Sequence, residues 1–204
     1  NEQMVVDYEN IANTIDFYAL DGKRSFSRSY QIDFNVEPVR RLTVSATFRY
    51  TDARIEMKGR GLTEKPLTSR YKGVLNLQYA TNLNKWVFDF TASINGKSRV
   101  YNFMEDLRDE NGKLLYKNGY SPAYPLLYLQ VTKRFKGIDI YLGAENLTNF
   151  RQKNLLLGTP MEETAGHGGI AAVNTALPDF DASAVWGPIM GTKVYIGLRY
   201  TLWK

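Results

Sequence analysis

Apolar and polar residues alternate with a period of two in eight separate stretches of the chain. In one of them, Leu42, Val44 and Ala46 alternate with Thr43 and Ser45. Successive side chains of a β-strand point to opposite faces of a sheet, so this pattern predicts strands with one apolar and one polar face. The predicted strands lie around residues 15–17, 30–36, 42–50, 75–79, 86–95, 127–132, 138–144 and 193–202.

The connections between these strands alternate in length. Three are tight and contain turn residues: "VEPVRRL" with Pro38, "TNLNK" with Asn84 and "FKGID" with Gly137. The connections after the third, fifth and seventh strands run to roughly 12, 24 and 40 residues, well above the usual few. The connection between the first two predicted strands, around "LDG" (20–22), is an exception. It is short, whereas the alternation of short and long connections would make it long.

Antiparallel strands with short turns at one end and long loops at the other are typical of an up-and-down transmembrane β-barrel. Strands of about 9–11 residues suffice to cross a bilayer, and the closed barrel pairs every backbone group in lipid. Aromatic residues flank the apolar faces, as at membrane interfaces. They are Tyr30, Tyr50, Tyr79, Trp86, Phe135, Tyr200 and Trp203. The pattern therefore predicts an all-β, antiparallel barrel in the outer membrane of a Gram-negative bacterium.

Two other folds share the alternation. One is a soluble β-sandwich that binds carbohydrate through its tyrosines, in which the apolar phase containing Ile94, Leu129 and Ile196 is buried between two sheets. The other is a self-contained eight-stranded barrel with a structural or adhesive role, in which the first strand pairs with the last.

Composition narrows the choice of function. The chain has 14 Tyr, 10 Phe and 3 Trp, yet its mean hydropathy is only −0.36. Many aromatic residues in a chain of modest hydropathy are typical of proteins that place aromatic side chains at an interface between an apolar phase and water. No stretch approaches the roughly 18 apolar residues of a membrane helix. Without cysteine, and with His167 as the single histidine, thiol chemistry, a Ser-His-Asp triad and a multi-histidine zinc site are disfavoured. We expect no enzyme, no metal and no cofactor.

The formal net charge of +5 is carried by basic residues that are scattered along the sequence. A nucleic-acid interface usually gathers such residues in blocks or on one face. Nucleic acid is therefore not an expected partner.

Four stretches resemble the carboxy-terminal part of TonB-dependent outer-membrane receptors: "FRYTDARIEM" (48–57), "SRYKGVLNLQYAT" (69–81), "IYLGAENLTNF" (140–150) and "GTKVYIGLRYTL" (191–202). The opening segment up to Phe34 is similar to the preceding hairpin of the same receptors. The likeness runs in order over nearly the whole chain, which opens in mid-pattern at Asn1 and which we expect to be a fragment or mature piece.

The resemblance implies that residues 1–204 form about eight carboxy-terminal strands of a barrel of about 22 strands with a plugged lumen. It implies energised uptake of a scarce nutrient, such as an iron chelate, a cobalamin-like molecule or an oligosaccharide. The implied partners are outer-membrane lipid, the rest of the barrel and its plug, TonB through an amino-terminal part absent from this chain, and the outer-membrane assembly machinery. The assembly signal would include Tyr200, Leu202 and Trp203, although the chain departs from the family by ending in Lys204.

Charged residues on the polar phase are candidates for contacts with a plug or a substrate, or for pairs between neighbouring strands. They are Asp33, Arg49, Asp89, Asp139, Glu145 and Arg199. Glu145 and Arg199 lie on adjacent predicted strands, so we predict an ion pair between them.

The long loops hold the remaining candidates. Tyr116, Tyr120, Tyr124, Phe180 and Trp186 either stack on a ligand or pack the loops together. His167, beside Glu162 and Glu163, can complete a metal site, but its glycine-rich flanks favour a mobile tip. The Asn-Gly pairs at 111–112 and 118–119 predict tight turns of a small hairpin. The sequon at Asn146 is interpreted as chance, and 146–149 as the exit of a strand from the membrane.

Overall fold

The computed structural model describes residues 4–7, 9, 15–20, 23–105, 107–108, 111–152 and 185–202. Its strands are β1 (Met4–Asp7), β2 (Asp16–Ala19), β3 (Phe26–Val39), β4 (Leu42–Met57), β5 (Gly61–Glu64), β6 (Tyr71–Ala80), β7 (Trp86–Asn95), β8 (Tyr124–Arg134), β9 (Ile138–Glu145) and β10 (Lys193–Tyr200). A single-turn helix, α1 (Asn102–Glu105), and two 3₁₀ turns, Asn82–Asn84 and Lys117–Gly119, lie between them.

The predicted all-β, antiparallel architecture is confirmed. One large sheet has the order β10-β9-β8-β7-β6-β4-β3. The short strand β5 pairs with the carboxy-terminal end of β4. Every pairing is antiparallel, and neighbours in the sheet are neighbours along the chain apart from β5. Within the described residues the sheet is open, and β3 and β10 are its edges. No helix in the described part of the chain is long and apolar enough to span a membrane.

The three predicted tight turns join β3 to β4, β6 to β7 and β8 to β9, and all lie at one end of the sheet, the short-turn end. Arg41 (φ 74°) and Gly137 (φ 77°) adopt the left-handed conformation that two of these turns require. The opposite, long-loop end carries the connections after β4, β7 and β9. There β4 extends past β6 and pairs with β5 from Arg54↔Glu64 to Met57↔Gly61.

The predicted first hairpin is wrong. β2 pairs with β1 in a separate two-stranded sheet, from Met4↔Ala19 to Asp7↔Asp16, and not with β3. The signal for this strand was two apolar residues, Ile15 and Phe17, which is too short a pattern to select a partner. The small sheet lies beside the end of β4, where Tyr18 Oη accepts a hydrogen bond from Lys58 N at 3.0 Å.

Cross-strand register places the apolar phases of seven strands on one face of the large sheet. Partners in register share a face, as in Phe34↔Ala46 and Ala46↔Leu75. The opposite face carries the polar phases, as in Asn35↔Ser45 and Ser45↔Asn76. The buried core lies elsewhere, in the loops of the long-loop end, where Val100 and Met104 are fully buried beside Tyr116.

Candidate functional site

The apolar face is bounded by aromatic residues at both ends. At the long-loop end, Tyr30, Tyr50 and Tyr71 lie in one cross-strand row. At the short-turn end, Trp86 stacks on Phe88 with ring centroids 6.4 Å apart. On β6, Tyr71 belongs to the aromatic row at the long-loop end and Tyr79 to the aromatic residues at the short-turn end. The two tyrosines are eight residues apart, about 26 Å along the strand. At a barrel tilt of about 40° this is about 20 Å of height, close to the apolar band of about 25 Å in membrane barrels.

Large apolar side chains on this face are exposed, including Ile32 at 73% and Ile196 at 76%. Between the aromatic rows the seven strands place no charged residue on it, and Lys133 lies at its short-turn edge. Soluble monomers rarely expose so large a continuous apolar surface. This face therefore requires a cover, either lipid or protein.

Two cavities on the polar face are lined by residues in the described part of the chain. One, of about 260 Å³, lies toward the short-turn end and is lined by Gln78, Asp89, Gln130, Asp139 and Arg199 among others. The second, of about 310 Å³, lies at the long-loop end and includes Glu145, Asn146 and Lys193. All six charged candidates from the sequence lie on this face, which suits a solvated interior.

Neighbouring strands provide partners for several of these charges. Asp33 accepts a hydrogen bond from Thr47 Oγ1 at 2.7 Å, and Asp89 accepts one from Gln78 Nε2 at 2.6 Å. Asp139 lies 3.7 Å from Arg134 Nε. The sequence left two alternatives for the six charged candidates, contact with a plug or substrate and pairing between neighbouring strands. Pairing between neighbouring strands is present for Asp33, Asp89 and Asp139.

The predicted pair between Glu145 and Arg199 is wrong. The two residues are on adjacent strands, but the register places Lys193 opposite Glu145 and Asp139 opposite Arg199. Glu145 and Arg199 are therefore six residues out of register, about 20 Å along the strand. Alternation reveals which residues share a face, whereas register depends on the turn or loop that joins the two strands.

Two tyrosines cover glycines across the β9–β10 pair, a feature the sequence analysis missed. Tyr141 lies opposite Gly197, and Tyr195 lies opposite Gly143. A Cβ atom on either glycine would overlap the facing ring, so only glycine permits this approach. Tyr195 Oη also donates to Gln130 Oε1 at 2.9 Å, which ties three strands together on the polar face.

The loop aromatics are mostly packed against one another. Tyr116 is only 3% exposed, and its hydroxyl oxygen accepts a hydrogen bond from Trp186 Nε1 at 3.1 Å. Burial raises the pKa of this hydroxyl. Tyr124 stacks on Phe150 at 4.7 Å, and both rings contact Trp186. These contacts favour loop packing over ligand contact for Tyr116, Tyr124 and Trp186.

Tyr120 takes part in a polar cluster with Glu64 and Arg70. Its hydroxyl donates to Glu64, Arg70 also donates to Glu64, and the Arg70 guanidinium lies 5.4 Å from the Tyr120 ring centroid. The hydrogen bond to Glu64 raises the pKa of Tyr120. Burial opposes ionisation of Glu64, but the bonds from Arg70 and Tyr120 outweigh it and lower the pKa of that carboxyl. Tyr120 thus fixes the β5 hairpin to the loop after β7.

A buried ion cluster at Glu9 was also missed. The Glu9 side chain is fully buried and lies 2.6 Å from both Arg60 Nη1 and Arg99 Nη2. Arg99 also donates to the carbonyl oxygen of Glu64 at 2.9 Å. No local pattern links three residues so far apart in sequence, so only the fold reveals the cluster.

Asn146 joins the start and the end of the longest loop. Its φ is 51°, and its amide donates to the carbonyl oxygens of Phe150 at 2.8 Å and Met190 at 3.0 Å. Its side-chain oxygen accepts from Thr148 Oγ1 and Phe150 N. β9 ends at Glu145, as the sequence pattern predicts, while the exit from a membrane at this point stays a prediction. The sequon amide is buried and fully bonded.

We expect Asn146→Asp to lower the free energy of unfolding by about 1–3 kcal/mol. The carboxylate keeps the acceptor atoms but loses both donated bonds and faces two carbonyl oxygens. Asn149→Asp is the matched control, since Asn149 has the same φ and its side-chain oxygen only accepts, from Thr192 N at 3.3 Å. Urea unfolding of the two variants measures the difference, and equal stability would refute the donor role of Asn146.

Several predicted residues lie outside the described part of the chain. They are Glu162, Glu163, His167, Phe180, Trp203 and Lys204. Among the described residues, no three histidine or acidic side chains gather closely enough to hold a metal ion. Of the proposed assembly signal, Tyr200 ends β10 and Leu202 lies two residues beyond it, so the last strand is shorter than predicted.

No protein-family model matches this chain, and no curated protein matches it by sequence. One matching solved structure is BauA, the ferric preacinetobactin receptor from Acinetobacter baumannii, with 14% identity and a TM-score of 0.43. The match covers 73% of this chain and 22% of that receptor, so the chain spans about a fifth of the receptor's length.

Proposed function

We propose that this chain is a carboxy-terminal wall segment of a TonB-dependent outer-membrane receptor, which takes up a scarce nutrient through a plugged barrel. The observation that carries the proposal is the continuous apolar face of seven strands, bounded by aromatic rows about 20 Å apart in height and free of charge between them.

The polar face supports the same proposal. Its cavity toward the short-turn end is lined by carboxylate, amide and guanidinium groups, which suit a solvated path inside a barrel. The mechanism requires positioning and movement of a plug rather than bond chemistry. The ligand would be an iron chelate, a cobalamin-like molecule or an oligosaccharide, captured by the long loops.

The residue motifs add independent support. "GAENLTNF" coincides with the end of β9 and the Asn146 turn, and "GLRY" coincides with the end of β10 at the open edge of the sheet. In the resembling receptors these motifs lie in the last two strands of the barrel. The open edges of β3 and β10 would then pair with the rest of the same barrel.

The two other folds have less support. A sandwich needs a second sheet over the apolar face, but among the described residues the second sheet consists of two four-residue strands. A closed eight-stranded barrel needs a strand pair between the first and last strands, whereas β3 and β10 are separate edges in the described part of the chain.

Lipid exposure of alternate residues tests the proposal. Single cysteines introduced at Val44, Ser45, Ala46 and Thr47 of the full-length protein are labelled with bimane, and the protein is reconstituted in vesicles that contain doxyl-labelled phospholipid. We expect strong quenching at 44 and 46 and weak quenching at 45 and 47, because only the even positions lie on the apolar face.

Quenching without a period of two would reject the lipid-facing assignment of this sheet. A protein that stays in the aqueous fraction without detergent, and shows no quenching at any of the four sites, would favour the soluble sandwich. Loss of growth on one nutrient source after deletion of the full-length gene then identifies the ligand class.

A further inference from the structure

The net charge of the chain lies in the three short turns and the strand ends next to them. Residues 37–41, 81–85 and 133–137 contain six of the 26 basic residues and one of the 21 acidic residues of the chain. The remainder therefore has 20 of each sign and is neutral. The basic residues are Arg40, Arg41, Lys85, Lys133, Arg134 and Lys136, and the acid is Glu37. The sequence scatters these cations, but the up-and-down topology brings them to one end of the sheet.

Hydrogen bonds connect the three turns into one surface, which we call the basic rim. Arg41 Nη2 in the first turn donates to Asn82 Oδ1 in the second at 2.8 Å. Arg134 N in the third turn donates to the carbonyl oxygen of Lys85 in the second at 2.9 Å. Arg40, Lys85 and Lys136 are exposed on this rim.

One cation of the basic rim, Lys133, is on the apolar face of the sheet. It lies opposite Trp86 and Ile140. Its Nζ atom is 4.2 Å from the Trp86 ring centroid and 5.7 Å from that of Phe135. Among the described residues, no carboxylate forms an ion pair with Lys133. An ammonium group at the edge of an apolar band, held by aromatic rings, matches the position of a phospholipid phosphate.

We propose that the basic rim binds anionic phospholipid headgroups in the leaflet next to the short turns. The inference rests on the proposed membrane location, and it adds a partner that the apolar face alone does not specify. The partner carries negative charge next to an acyl chain, which complements cations placed beside an apolar band.

Lipid selectivity of the full-length protein tests the inference. The protein is reconstituted in phosphatidylcholine vesicles that contain spin-labelled phosphatidylglycerol or spin-labelled phosphatidylcholine, and electron paramagnetic resonance measures the fraction of each label immobilised by protein. We expect about fivefold preference for phosphatidylglycerol at low salt, the scale of one cation near an anionic surface. High salt should reduce the preference by screening.

The triple variant K85Q/K133Q/K136Q should lose most of this preference. The control K58Q/K65Q/K117Q removes the same charge from exposed lysines at the long-loop end and should keep it. Equal binding of both labels by a folded, membrane-inserted wild-type protein would overturn the inference, leave the proposed function intact and assign the rim to an acidic protein partner. Equal losses in both triple variants would also overturn it. Failure of the wild-type protein to enter lipid would overturn both proposals.

Discussion

We expect Ala46→Arg to lower the free energy of unfolding of the membrane-inserted protein by about 2–4 kcal/mol, the cost of an arginine at mid-height on the lipid face of a barrel. Ala46 lies four residues from Tyr50 and four from Leu42, at the centre of the apolar face. Its cross-strand partners are Phe34 and Leu75. Because alanine is small, the substitution removes little packing, so the measured cost reports the charge. Urea unfolding from lipid vesicles gives the value.

Ser45→Arg is the matched control, one residue away on the same strand. Ser45 faces the polar side between Asn35 and Asn76, where a guanidinium group stays solvated. The substitution removes one exposed hydrogen bond, from Ser45 Oγ to Asn35 Oδ1 at 3.3 Å, so we expect a change within about 1 kcal/mol. If Ser45→Arg proved as costly as Ala46→Arg, both sides of the sheet would be dry, and the assignment of a solvated lumen would be wrong.

The sheet could be predicted because each long strand carries its own signal. Four or five alternating pairs, as in residues 42–50, specify a strand and its faces without knowledge of any partner. The tight turns after β3, β6 and β8 predicted that the strands they join are adjacent and antiparallel. The first strand failed because two apolar residues specify neither a face nor a partner, and β2 instead pairs with β1.

The contacts between distant segments could not be predicted in the same way. Residues on the polar face were assigned correctly, yet the partner of Arg199 was wrong, because the register of β9 and β10 is fixed by a long loop rather than a tight turn. The basic rim was missed for a related reason. Its cations are spread over three turns, and only the antiparallel order of the strands places those turns at one end.

We expect Glu9→Gln to have the largest effect outside the sheet faces. Glu9 is the common partner of Arg60 and Arg99, and its side chain is fully buried. Removing one partner of a buried ion pair costs about 3 kcal/mol at the lower end of the usual range. The Arg99 and Arg60 side chains, 12% and 27% exposed, would keep their charges without the carboxylate that joins them. The loss should appear as faster hydrogen exchange in β1 and β2, since Glu9 ties the segment after β1 to Arg60 in the β4–β5 turn and to Arg99 in the loop after β7.

The matched control is Glu56→Gln, the same chemical change at a solvated pair. Lys23 Nζ lies 3.3 Å from Glu56 Oε1, and the Lys23 side chain is 60% exposed whereas that of Glu56 is 15% exposed. Because the lysine stays in water when the carboxylate is removed, the pair contributes about 0–1 kcal/mol. Hydrogen exchange followed by mass spectrometry compares β1–β2 peptides of both variants with the wild-type protein in detergent. If the two variants protect β1 and β2 equally well, Glu9 does not anchor the amino-terminal hairpin to the loops. A selective loss in Glu9→Gln would show that a cluster assembled from residues 9, 60 and 99 holds that hairpin at the long-loop end.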